Sequence, residues 1–136
     1  VDRLLFPKDH RIVCVYLGPI PTRSALSQAD LAGRINPLAQ RAMLAIQKTP
    51  DLHTFLTNAR KFSDGAGYQT PQIARIMDVM TAAGAVGAAQ NMTGEAVHAV
   101  AETPNVPNVV RVLKKGFPKA RVFVTRLEDQ GVRLVE

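Results

Sequence analysis

The stretch from Ala82 to Gly94 places the tightest limit on the fold, because it is glycine-spaced, rich in alanine and without charge. Glycine permits tight turns and a close backbone approach, and N–H groups exposed in such a turn can surround an anion. The stretch lacks the lysine of a P-loop and leads into a strand, so neither the Walker nor the dinucleotide-binding fingerprint applies. It is either an anion-binding loop or a helix-to-strand turn packed closely against a neighbour. Its defining positions are Gly84, Gly87, Gln90, Asn91, Thr93 and Gly94.

Length and composition favour one folded domain that spans residues 1–136. Hydrophobic residues make up 46% and charged residues 21%, which is ordinary for a globular protein. No apolar run approaches the roughly 20 residues that cross a bilayer, so no membrane association is expected. The single cysteine, Cys14, rules out an internal disulfide and favours a cytoplasmic location. It is interpreted as a small buried hydrophobe.

The net charge of +6 favours an anionic partner. Nucleic acid is disfavoured as that partner, because the chain has no tryptophan and only 5% aromatic residues for base stacking. The three histidines lack metal-ligand spacing, so no metal site is predicted, and His98 is interpreted as an ordinary strand histidine. The one dense basic group is expected at a solvated helix end. It comprises Lys114, Lys115, Lys119 and Arg121.

Apolar periodicity predicts an order of one strand, several helices, a strand, a helix and two further strands. The first strand is a nearly continuous apolar run, so both of its faces are expected to be covered. Gly33 is expected to end a first helix, and Asn36-Pro37 to begin the next. The order predicts an α+β fold with a mostly antiparallel, ferredoxin-like four-stranded sheet, helices on one face and extra helices after the first strand. The predicted strands cover 10–17, 95–101, 121–127 and 132–135.

A second polar segment follows the first strand, where Gly18-Pro-Ile-Pro21 leads into Thr22-Arg23-Ser24. The hydroxyls of Thr22 and Ser24 can cap a helix whose N-terminus attracts anions. Arg23 can bind a carboxylate or phosphate through two parallel hydrogen bonds. The alternative is an ordinary capped helix with an exposed arginine.

Two segments resemble the GHMP kinases, the superfamily of galactokinase, homoserine kinase and mevalonate kinase. Gly84 to Val100 is similar to the third signature motif, a glycine-rich loop that leads into a strand of the C-terminal domain. Leu17 to Leu26 is similar to the Ser/Thr-Lys/Arg helix entry after the first strand of that domain. Both segments look most like archaeal pantoate kinases, although Gln90-Asn91-Met92 stands where many relatives carry small residues.

The resemblance implies the C-terminal domain of an ATP-dependent kinase that phosphorylates pantoate in coenzyme A biosynthesis. Thr22, Arg23 and Ser24 would bind this small anionic hydroxy acid, and the glycine-bracketed stretch would lie on the phosphate side. ATP and Mg²⁺ would be held mainly by an N-terminal domain, because the phosphate loop of the type Pro-x-x-x-Gly-Leu-Gly-Ser-Ser-Ala is absent from this sequence. The resemblance places no catalytic residue in this chain, and the chain alone is expected to be inactive.

Other acceptors remain open within the superfamily, namely homoserine, mevalonate or a sugar, as does a ribofuranosyl-transferring relative. From a different class, a regulatory ligand-binding or dimerisation domain of ferredoxin-like shape also remains open. A homodimer is left open by all of these hypotheses.

Overall fold

The structure, a computed structural model, describes residues 6–19, 31–91 and 94–128. No helix within these ranges has both the length and the apolar character needed to span a bilayer. The strands are β1 (His10–Pro19), β2 (Gly87–Gln90), β3 (Gly94–Glu102) and β4 (Arg121–Thr125). The helices are α1 (Leu31–Lys48), α2 (Leu52–Gly65), α3 (Pro71–Ala82) and α4 (Val106–Gly116), with a short 3₁₀ turn at Thr103–Asn105.

The four strands form one antiparallel sheet in the order β2-β3-β1-β4. This confirms the predicted α+β fold with a four-stranded antiparallel sheet. One member of the sheet differs from the prediction, because Gly87–Gln90 is an edge strand and not part of a loop. The strand predicted at 132–135 lies outside the described residues.

The short strand β2 owes its place to packing and not to strand propensity. Glycine and alanine are both depleted in strands, so Gly87-Ala88-Ala89 carries no strand signal in the sequence. In the fold, Ala88 and Ala89 are buried on opposite faces, between α3 on one side and α2 on the other. Small side chains let helices approach this edge of the sheet from both sides.

One face of the sheet forms the main core with α3 and α4. Val13 and Val15 from β1 and Val97 from β3 are fully or almost fully buried there. Burying one such side chain stabilises a fold by about 1.5–3 kcal/mol. The helices contribute Ile73, Ile76, Met77, Met80, Val109 and Leu113.

Among the described residues, the opposite face is covered over β2 and part of β3, where Leu56 of α2 packs on Ala89 and Val100. Towards β1 and β4 side chains on this face are exposed: Tyr16 is 38% exposed and Phe123 is 55% exposed. The expectation that both faces of the first strand are covered is therefore wrong at its C-terminal half. We call this partly uncovered side the open face.

Helix α1 runs without a break from Leu31 to Lys48, so the predictions of a stop at Gly33 and a start at Asn36-Pro37 are wrong. Proline inside a helix removes one hydrogen bond, but the early part of α1 is also held by α2. The Arg34 guanidinium donates to the carbonyl of Ala66 at 3.3 Å, and the side chain of Leu38 packs against Gly65. Tertiary contacts thus override the local stop signals.

The other helix boundaries follow the sequence signals. Asp51 caps α2 by accepting from the backbone N–H of Thr54 at 2.7 Å. This bond holds the pKa of the Asp51 carboxyl below its usual value. Thr70 caps α3 in the same way and is followed by Pro71 at the first helical position, as the Thr70-Pro71 pair predicts.

Candidate functional site

The two polar segments meet at one end of the sheet. Gly18 pairs with Glu95, and Pro19 pairs with Gly94, across the antiparallel strands β1 and β3. The glycine-bracketed stretch therefore reaches the sheet directly beside the residues that lead to 22–24. Thr22, Arg23 and Ser24 themselves lie outside the described residues.

A tight connection links β2 to β3 at this end. The backbone N–H of Asn91 donates to the carbonyl of Ala96 at 2.9 Å, which extends the strand pairing by one residue. The N–H of Gly94 donates back to the carbonyl of Asn91 at 3.2 Å, so the chain reverses within four residues. We call residues 91–94 the connecting turn; Thr93 lies outside the described residues.

Gln90 holds the connecting turn from the core side. Its amide nitrogen Nε2 donates to the carbonyl of Tyr68 at 3.1 Å and to that of Gly94 at 3.4 Å. Both neighbours are acceptors, so the amide nitrogen and not the oxygen must face them. The side chain is only 7% exposed, and its Oε1 has no partner among the described residues. Gln90 thus fixes the turn through its amide nitrogen.

Gly84 and Gly87 lie away from the connecting turn. Gly84 has a φ of +104° and ends α3, where its carbonyl accepts from Nδ2 of Asn105 at 3.2 Å. Gly87 begins β2, roughly 13 Å along the strand from Asn91 at about 3.3 Å per residue. Of the three glycines predicted on the phosphate side, the structure brings only Gly94 to the end of the sheet where β1 finishes.

His98 contacts the connecting turn, which the sequence did not indicate. Its ring nitrogen Nδ1 lies 2.5 Å from Oδ1 of Asn91. Because Asn91 opposes Ala96, its side chain reaches diagonally to the residue two positions along β3 on the same face. The contact depends on the pairing of β2, so without that strand no sequence signal reveals it. Burial lowers the pKa of His98 and favours its neutral form at pH 7.

Cys14 opposes His98 in β1, on the same open face. A cysteine beside a histidine is a familiar nucleophile pair, but burial raises the pKa of the Cys14 thiol. A thiol with a raised pKa is a poor nucleophile at neutral pH. The interpretation of Cys14 as a small hydrophobe is therefore the better one.

The dense basic group is split by the fold. Lys114 and Lys115 occupy the last turn of α4, as expected for cations that complement a helix C-terminus. Arg121 instead begins β4, where it pairs with Tyr16 of β1. The expectation of a helix end is therefore wrong for Arg121, which begins a strand as the predicted strand over 121–127 requires.

A groove of about 480 Å³ lies between α2, α3 and the start of β2. Its polar lining includes Arg60, whose guanidinium is paired with Asp78 at 2.7 Å, and Lys61. The groove reaches Gly87 but does not include Asn91 or Gly94. Across the described ranges, no three His, Cys, Asp or Glu side chains gather closely enough to hold a metal ion.

The sequence matches no protein-family model and no curated protein. Solved structures, by contrast, share its fold. A phosphotransferase related to the CoA biosynthesis pathway superposes with a TM-score of 0.79 at 18% identity, over 93% of this chain and 40% of that one. Mevalonate kinase from Methanococcus jannaschii gives a TM-score of 0.68 at 17% identity, over 90% and 41% of the two chains.

Homoserine kinase from Cytophaga hutchinsonii gives a TM-score of 0.61 at 14% identity, over 96% of this chain and 45% of that kinase. The chain thus spans less than half the length of each of these three structures. At such identities the likeness shows the fold alone, which this chain shares with part of each of these enzymes.

Proposed function

We propose that this chain is the C-terminal domain of an ATP-dependent kinase that phosphorylates the hydroxyl of a small hydroxy acid, with pantoate as the acceptor. The pairing of Pro19 with Gly94 is the observation that carries the proposal. It joins the two segments that resemble GHMP kinases at one end of the sheet. The resemblance of both segments to pantoate kinases favours pantoate, and the fold shared with a phosphotransferase related to the CoA biosynthesis pathway agrees with that choice.

In this proposal the acceptor binds beside the end of β1. Arg23 binds its carboxylate through the two parallel N–H groups of the guanidinium, while Thr22 and Ser24 shape the pocket. The connecting turn, with Asn91, Thr93 and Gly94, forms the lip of the same cleft. Gln90 supports this turn from the core, and Gly84 and Gly87 shape the scaffold behind it.

ATP and Mg²⁺ are assigned to the remaining part of the enzyme. Phosphoryl transfer needs a phosphate-binding loop and groups that hold the metal, and the described residues contain no cluster of metal-binding side chains. The 136 residues correspond to 40–45% of the three solved kinases. We therefore expect no ATP turnover from this chain alone. Detectable activity would contradict the assignment of ATP and Mg²⁺ to another part of the enzyme.

Calorimetric titration of the full-length enzyme tests the acceptor. We expect pantoate to bind and the Arg23→Ala variant to bind it at least tenfold more weakly, since a charge-assisted bidentate contact is worth about 1.5–3 kcal/mol. The matched control is Arg111→Ala, which removes an exposed arginine from α4 whose guanidinium donates to the side chain of Asn108. Unchanged affinity in the Arg23 variant would remove this residue from the site.

Homoserine and mevalonate serve as competing acceptors in the same titration. Tighter binding of either one, together with its faster phosphorylation, would replace pantoate while leaving the kinase hypothesis in place. The reading frame upstream of Val1 tests the hypothesis itself. A Gly-Leu-Gly-Ser-Ser-like loop is expected there, whereas an unrelated catalytic or DNA-binding domain would favour the regulatory module.

A further inference from the structure

Four residues form one cross-strand row on the open face at the end of the sheet that carries the connecting turn. Asn91 opposes Ala96 through its backbone hydrogen bond, Ala96 opposes Tyr16, and Tyr16 opposes Arg121. Directly opposed residues point to the same face of a sheet. We call Asn91, Ala96, Tyr16 and Arg121 the polar row.

The side chain in the middle of the row is the small methyl group of Ala96. Neighbouring strands lie about 4.8 Å apart, so the strands of Asn91 and Tyr16 are roughly 10 Å apart with only the methyl group of Ala96 between them. Asn91 and Arg121 are exposed, and Tyr16 is 38% exposed. A group of a few atoms above Ala96 would therefore lie between an amide and a phenol, with a guanidinium on the next strand.

Three hydrogen-bonding groups of the row have no partner within residues 6–19, 31–91 and 94–128. No described residue bonds to the phenol of Tyr16, to the guanidinium of Arg121 or to the amide nitrogen Nδ2 of Asn91. The backbone groups of Asn91 are already paired, with Ala96 and Gly94. All three free groups can donate N–H or O–H bonds, so the row suits a ligand that only accepts them.

His98 sets the direction in which the Asn91 amide points. Oδ1 of Asn91 carries no hydrogen, so Nδ1 of His98 must be the protonated nitrogen in their 2.5 Å contact. With Oδ1 fixed on the ring, Nδ2 and its two hydrogens point away from His98. Burial lowers the pKa of His98, so the ring is neutral at pH 7 when it orients the Asn91 amide.

The charges near the row favour an anion. The cross-strand neighbours of His98 are Ala89 on β2 and Cys14 on β1, with Phe123 beyond on β4, and none of them carries a charge at neutral pH. Glu95 follows Gly94 in β3, and strand alternation turns its side chain to the opposite face from Ala96. Arg121 is therefore the charged member of the row.

We propose that the polar row binds an oxyanion, a carboxylate or a phosphate group, above Ala96, and that His98 is the positioning residue for its Asn91 wall. If the enzyme is the kinase proposed above, this oxyanion belongs to the acceptor or to the transferred phosphate. The binding site itself stands on the strand pairing and does not require the kinase reaction.

The test is a titration of the full-length enzyme at low salt with two probes, pantoate and inorganic phosphate, followed by NMR or calorimetry. We expect saturable binding of at least one probe and at least tenfold weaker binding in Ala96→Val, which places a larger side chain between Asn91 and Tyr16. Valine suits a strand, so this variant should fold. Arg121→Ala should weaken binding at least threefold, whereas Lys115→Ala, which removes a charge from the end of α4, should not.

Binding of pantoate alone identifies a carboxylate site, and binding of phosphate alone identifies a phosphate site. If neither probe binds, or if Ala96→Val binds as tightly as the wild type, the row is not a site. If the wild-type enzyme phosphorylates no acceptor while the row still binds its probe, the proposed function is rejected. The inference about the row then still holds.

The role of His98 has its own readout. Long-range ¹H–¹⁵N correlation spectra of the histidine ring should show the Nδ1–H form of His98, and an Nε2–H form would overturn the positioning role. His98→Leu should weaken probe binding about threefold because it releases the Asn91 amide. His98→Gln, which keeps an N–H donor, should restore most of it; equal losses in both variants would mean that His98 only supports the fold.

Discussion

A Cβ atom placed on Gly87 would lie 3.0 Å from the Cβ of Leu56 and 3.1 Å from its Cδ1. These separations are shorter than ordinary van der Waals contact. Helix α2 therefore packs so closely on the edge strand β2 that a Cβ at position 87 would force one of them to shift by a few tenths of an ångström. Because β2 leads directly into the connecting turn, this contact helps to set where Asn91 and Gly94 lie.

Gly87→Ala is expected to destabilise the chain by about 1–3 kcal/mol, the usual cost of overpacking a well-packed region. The Cβ of Leu56 is bonded directly to the backbone of α2, so no change of rotamer can move it away. The strand or the helix must therefore shift. Urea unfolding measures the change. Gly116→Ala is the control, because a Cβ on Gly116 meets nothing within 4 Å. Equal stability of the two variants would show that α2 and β2 are not in this close contact.

The sequence predicted the elements that carry strong periodicity and missed those that depend on neighbours. Strands β1, β3 and β4 and helices α2, α3 and α4 have apolar repeats with recognisable boundaries, such as Thr70-Pro71. Strand β2 has only glycine and alanine before Gln90, so its β structure comes from its partners and from the helices on both sides. No local pattern contains that information.

The candidate site was predictable only in part for the same reason. The stretch that ends in Gly94 and the segment after β1 were recognised as polar, glycine-rich ends of elements. Their meeting requires the pairing of Pro19 with Gly94, and the contact between Asn91 and His98 requires the pairing of β2 with β3. Two predictions compete for Arg121, a basic helix end and the strand over 121–127, and the structure shows the strand.

Gly84→Ala is expected to destabilise the chain by about 2 kcal/mol or more. At a φ of +104° an L-residue is strained, and its Cβ would also lie 3.3 Å from Cγ of Asn105. Gly67→Ala separates the two causes, because Gly67 has a φ of +77° with nothing within 4 Å of its Cβ position. Gly67→Ala should lower the free energy of unfolding by the backbone strain alone, about 1–2 kcal/mol. A smaller loss at Gly84 than at Gly67 in thermal or urea unfolding would contradict the tight packing against Asn105.

His98 should make the fold less stable as the pH falls from 7 towards 5. Burial lowers its pKa in the folded chain below the usual value of about 6.5. The unfolded chain therefore binds the proton more readily, and stability is lost as the pH falls through 6.5 towards the folded pKa. The lowered pKa values of Asp9 and Asp51 act only below about pH 4. Urea unfolding across this range should show a steeper decline for the wild type than for His98→Gln, and parallel curves would refute the effect.

Pro37→Ala is expected to stabilise the chain. Pro37 lies inside the continuous helix α1, where its missing N–H leaves the carbonyl of Gly33 without the usual helical partner. A proline inside a helix costs about 3 kcal/mol, and the greater freedom of alanine in the unfolded chain offsets about 1 kcal/mol of the gain. A net stabilisation of about 2 kcal/mol should follow, with a small rise in helical circular dichroism. If Pro37 instead began a new helix after Asn36, the same change would be neutral or destabilising, because proline is favoured at the first helical position.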